Sequence, residues 1–155
     1  MLSSPSARAT LRLASLALLL AAAAGVWEVL ATQAPGSPLY LGMLPGPVQA
    51  LRETALVLGL LVFAAACLLP ELHKLDQAFE PKALLAALHV GVVLALGAGV
   101  YGACTGMRGT QLFDLRPDAS ALFLTKHLGL VLTGAALAEL ARRALWRRGT
   151  RQLDP

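Results

Sequence analysis

Four stretches of the chain are apolar for long enough to cross a membrane, and the segments between them are polar, proline-rich or both. A helix needs about 20 apolar residues to cross a hydrocarbon layer of about 30 Å. The first stretch runs from about Leu11 to Thr32 and holds one acid, Glu28. The second runs from about Val48 to Pro70, with Arg52 and Glu53 near its start and no charge from Thr54 to Leu69. The third, from about Ala83 to Cys104, carries no charge. The fourth, from about Ala119 to Ala141, contains Lys126, His127 and Glu139. The pattern predicts an all-α integral membrane protein: an antiparallel up-down four-helix bundle. Residues 1–155 then form one membrane domain, with a basic cytoplasmic tail over 142–155.

The connections are rich in turn residues. Between the first two spans, Pro35, Gly36, Pro38, Pro45, Gly46 and Pro47 oppose a continuous helix. Between the second and third, Pro70 and Pro81 bracket Leu72, Leu75 and Phe79, whose helical spacing predicts a short helix along the membrane interface. The last connection, residues 105–120, is polar.

Composition sharpens this picture. Apolar residues make up 57% of the 155 and charged residues 14%, where soluble domains carry about 25% charged. Mean hydropathy is +0.66. Too few polar residues remain to coat a soluble core. A soluble enzyme, a disordered tail and a disulfide-stapled secreted module are therefore disfavoured. The net charge of +4 does not point to nucleic acid, because no basic face with interleaved aromatics is present.

The basic residues set an orientation instead. With both termini inside, the cytoplasmic side holds Arg8, Arg12, Lys74, Lys82, Arg142, Arg143, Arg147, Arg148 and Arg151. The outer side holds Arg52, Arg108, Arg116 and Lys126. Nine against four places both termini in the cytoplasm and the protein in the cell (inner or plasma) membrane. Trp27 and Trp146 fall near opposite interfaces, where amphipathic rings anchor. A competing reading makes Arg8, Arg12 and the following LASLALLLAAAAG a secretory signal, cleaved after Ala24 or Ala34. Pro35 opposes the second site, and cleavage would leave three spans. Cys67 and Cys104 fall at opposite ends of their spans, too far apart for a disulfide, and read as buried small apolar residues.

Candidate chemistry is sparse. In the third span Gly91, Ala95, Gly99 and Ala103 repeat every four residues, a small-residue stripe suited to close helix packing. His89 and His127 are intramembrane histidines, and two such rings on neighbouring helices are the minimal set for axial ligation of haem b. Their predicted depths differ by about 9 Å, against one shared iron. His127 shares a helix face with Val131, Gly134, Ala138 and Ala141, taken as the packed face. Lys126 is expected to snorkel to the outer headgroups. Glu28 continues the stripe Ala14, Ala17, Ala21 and Ala24, and its expected partner is Lys126 or His127. Glu139 should pair with Arg142 or Arg143 one turn on. His73 with Glu71, Asp76 and Glu80 has no recognised metal-ligand spacing.

No catalytic motif is found. The sequence supports a small multi-pass protein acting as a structural or accessory subunit of a membrane complex. Its partners would be the lipid bilayer and other membrane subunits or further copies of itself, and not nucleic acid. The alternatives are a haem b electron carrier using His89 and His127, and a small transporter or channel component using Glu28, Lys126 and His127.

Overall fold

The computed structural model describes residues 5–33, 46–75, 81–107 and 117–151. They form four helices: α1 (Pro5–Gln33), α2 (Gly46–Leu75), α3 (Lys82–Thr105) and α4 (Pro117–Arg151). All four are long and apolar enough to span a membrane. Proline opens α1 and α4, where a missing N–H costs nothing because the first turn has no intrahelical acceptor for it. α3 ends at Gly106, whose φ of +75° is left-handed, and the Met107 N–H then donates to the Gly102 carbonyl at 2.9 Å.

Two helices run further than the hydrophobic pattern predicts. α2 continues through Pro70 to Leu75. Leu69 and Leu72 are buried on the same side as Leu58, Val62 and Ala65, so packing holds the last turns despite the bond lost at proline. Leu72 thus belongs to the core of α2 and not to a separate interfacial helix. Phe79 lies outside the described residues. α4 continues past Ala141 to Arg151, so most of the basic tail is helix. Alanine and arginine in that tail are strong helix formers.

The helices pack as two close pairs joined through one member. α1 rests on α2, α3 rests on α4, and α2 also touches both α3 and α4. α1 has no comparable contact with α3 or α4. Glycine sets the close approaches. A Cβ at Gly59 would stand 2.7 Å from Leu18 Cδ2 on α1, and one at Gly91 would stand 2.6 Å from Thr133 Oγ1 on α4. A Cβ at Gly129 would stand 2.6 Å from Ala95 N, and one at Gly102 would stand 3.0 Å from Leu122 Cδ2. Numbers therefore rise along α3 as they fall along α4, and likewise for α1 against α2 through Leu18 with Gly59 and Gly25 with Arg52.

Small residues dominate the helix contacts. Ala7, Ala14, Ala17, Ala21 and Ala24 are buried on α1, and Ala55, Ala65 and Ala66 on α2. Larger apolar groups meet at the centre, where Leu58, Val62, Leu72, Leu88, Val92 and Leu140 are fully enclosed. The outward faces carry Leu16, Leu19, Leu30, Phe63, Val93 and Val131. Small residues at the helix contacts and large apolar ones outward suit helices whose backbones approach while lipid covers the rest. Buried hydroxyls are satisfied within their own helices: Thr10 donates to the Ser6 carbonyl at 2.9 Å and Thr133 to the Gly129 carbonyl at 2.9 Å. Cys67 and Cys104 are exposed on the outward faces, not buried as the sequence suggested. The bundle has room for small side chains inside, but alanine and glycine already occupy those positions.

Candidate functional site

Two of the charged groups on the apolar helices meet at one end, where α1 finishes and α2 begins. Glu28 ends the alanine stripe of α1, and its side chain is only 7% exposed. Arg52 lies nearly two turns into α2, and its stem passes over Gly25, 3.6 Å from where a Cβ would stand. The Arg52 Nη1 donates to Glu28 Oε2, forming an ion pair between the two helices. Arg52 itself is 40% exposed, so the pair has one dry and one wet partner. The second carboxylate oxygen, Glu28 Oε1, is buried and accepts no hydrogen bond.

Glu53, the next residue of α2, accepts a hydrogen bond from Gln49 Nε2 at 3.0 Å. It is also the acid whose charge acts on Lys126 of α4. Lys126 is buried. It lies on the packed face of α4 with Ala119, Leu122, Gly129, Thr133, Ala136, Leu140 and Ala144. Charges thus alternate across three helices: acid on α1, base and acid on α2, base on α4. In a low-dielectric setting an opposite charge nearby offsets part of the cost of burying each group.

This arrangement corrects three expectations. The partner of Glu28 is Arg52, not Lys126 or His127, because α1 packs on α2 and not on α4. Lys126 does not snorkel outward but is buried on the face toward the bundle. The face of α4 holding His127, Val131, Gly134 and Ala138 is not the packed one: Val131 and Ala138 are exposed. His127 is half-buried and stacks on Phe123 with ring centroids 3.8 Å apart, its Nδ1 2.8 Å from the Phe123 carbonyl oxygen.

His89 is half-buried with Nδ1 2.7 Å from the Leu85 carbonyl oxygen. The contacts of Gly91, Ala95 and Gly102 with α4 set the register. They place His127 six to eight residues along α3 from His89, about 9–12 Å at 1.5 Å per residue. Axial ligands approach one iron at nearly one level, so the two rings do not form such a pair within one chain. Among the described residues no group of three or more His, Cys, Asp or Glu could hold a metal ion. His73 is exposed near the end of α2, while Asp76 and Glu80 lie outside the described residues.

The stripe on α3 serves two neighbours. Gly91 and Ala95 meet α4, whereas a Cβ at Gly99 would stand 3.0 Å from Leu51 Cδ1 on α2. Ala103 is half-buried. Gly129, which the sequence did not single out, is the α4 side of the closest approach. Its signal in the sequence is the spacing Leu122, Lys126, Gly129, Thr133. An open groove of about 320 Å³ lies between the end of α3 and the start of α4, lined by Gly97, Tyr101, Asp118 and Thr125 among others. At the opposite end of α4, Glu139 accepts two hydrogen bonds from Arg142, at 2.6 and 2.8 Å, and one from Arg143 at 2.7 Å.

Comparison with protein families, with curated proteins and with solved structures finds no match to this chain. The class rests on the helices themselves. Four apolar helices of spanning length are compatible with a small multi-pass membrane protein.

Proposed function

We propose that the chain is a structural or accessory subunit of a complex in the cell (inner or plasma) membrane, crossing it four times as an antiparallel up-down bundle with both termini in the cytoplasm. The observation that carries this reading is how the intramembrane charges are used. Glu28 is spent on Arg52, and Lys126 sits under the field of Glu53. The Glu28–Arg52 pair fixes how α1 meets α2, the use expected of a structural charge. The outward faces, rich in leucine and valine, suit a lipid bilayer and the helices of other membrane subunits or of further copies. The nine-to-four bias of basic residues supports the orientation.

Native gel analysis of membranes, solubilised mildly, tests the role: the chain should run in a particle larger than its monomer. A monomeric species with a Soret absorption band would overturn this reading in favour of an electron carrier. Reporter fusions at Asp154 and within Gly106–Asp118 should sit on opposite sides of the membrane, and fusions on the same side would overturn the topology.

A further inference from the structure

We infer that the first turns of α1 form a binding site for an anionic phospholipid, its phosphate held by Arg8 and Arg12 and its chain laid along Leu16 and Leu19. The inference rests on the membrane reading above and adds a ligand to it. Arg8 and Arg12 are both exposed and stand four residues apart on one helix face. Like charges at this spacing repel each other, and among the described residues neither has an acidic partner. Arg52, Lys74, Arg142 and Arg143, by contrast, each have a carboxylate from the chain itself. The Arg8–Arg12 pair is thus open to an anion from outside.

The surface below the pair says which kind. Ser15, Leu16 and Leu19 continue the same face of α1 toward the middle of the span, and all three are exposed. Leu16 and Leu19 are among the most exposed large apolar residues of the chain. The opposite face of α1 is the alanine stripe occupied by α2, so the arginine–leucine face is open. Charge at the mouth of the helix and apolar surface beneath it match a phosphate head and an acyl chain. A free phosphate would use the first and leave the second bare. Arginine also suits phosphate through its paired N–H groups.

The test uses the full chain purified in neutral detergent, its retained first helix verified by intact mass. Thermal unfolding is followed on titrating phosphatidylglycerol, phosphatidylcholine or inorganic phosphate. Phosphatidylglycerol should stabilise the wild type well above phosphatidylcholine, and inorganic phosphate should not reproduce the effect. The double variant Arg8→Gln/Arg12→Gln should bind phosphatidylglycerol about 30-fold more weakly, from about 1 kcal/mol per basic residue at an anionic surface. The control Lys74→Gln/Lys82→Gln removes the same charge and should retain most of the affinity. If the glutamine pair does not fold, Arg8→Lys/Arg12→Lys takes its place and should show a smaller weakening of the same sign. Equal stabilisation by both lipids, or equal weakening in both double variants, would overturn the site. Loss of α1 from the mature chain would instead remove the site itself and the four-span reading on which it depends.

Discussion

Glu28 and Arg52 join the end of α1 to the beginning of α2 by an ion pair whose acid is almost fully buried and whose base is nearly half exposed. The two members are therefore not equivalent. Replacing Arg52 with Gln strands a buried carboxylate, which costs about 1–3 kcal/mol. Replacing Glu28 with Gln frees an arginine that can turn to the headgroups, and should cost less than about 1 kcal/mol. Unfolding in detergent should therefore rank Arg52→Gln as the less stable variant. The reverse order would mean that the pair is not what holds this end. A double-mutant cycle on Glu28 and His127 should be additive, since no described contact joins them.

The glycines give a sharper contrast. Gly91→Ala and Gly129→Ala each drive a methyl into the neighbouring helix, within 2.6 Å of Thr133 Oγ1 and of Ala95 N respectively. Each should cost about 1–3 kcal/mol through forced backbone shifts. Gly97→Ala meets nothing within 4 Å and should gain about 0.5–1 kcal/mol from the better helix former. Gly99→Ala should fall between, because the end of the Leu51 side chain can give way. Melting temperatures of the four variants decide the matter, and a destabilised Gly97→Ala would contradict the packing described.

Lys126 offers a charge-reversal test. Lys126→Glu sets a second acid within reach of Glu53 on a buried face and should destabilise strongly, whereas Lys126→Met, of similar shape and no charge, should be tolerated far better. Adding Glu53→Gln to Lys126→Glu should recover part of the loss. No recovery would show that Glu53 does not act on this position.

Cys67 and Cys104 report on the outward faces. Both should react with a small lipid-soluble maleimide in native membranes. Cys67, well inside α2, should resist a charged, membrane-impermeant thiol reagent. Ready labelling of Cys67 by the charged reagent would place that face of α2 in water.

The alanine ladder of α1, ending in Glu28, could be read in the sequence because small residues at helical spacing stand out against leucine. The packed face of α4 could not. When lipid and core are both apolar, a spanning helix has no polar side to reveal its orientation. The polar cues on α4 mislead: His127 points to the wrong face as the packed one, and Lys126 points outward by the ordinary cost of burying an amine. Lys126 is instead buried with Gly129 and Thr133 on the face toward the bundle. Arg52 was hidden similarly. With α2 starting at Gly46 it lies inside the span, but its proximity to the proline-rich connection made it look like an interface residue. Pro70 suggested a break that tertiary packing of Leu69 and Leu72 prevents.

Because α1, among the described residues, packs chiefly on α2, α2 is its main point of mechanical communication. A tilt, rotation or withdrawal of α1 would reach α3 and α4 mainly as a displacement of α2, while the glycine-locked α3–α4 pair could stay fixed as a unit. The first helix is thus an outrigger: able to shift, or to be gripped by a neighbouring subunit, without dismantling the three helices beside it.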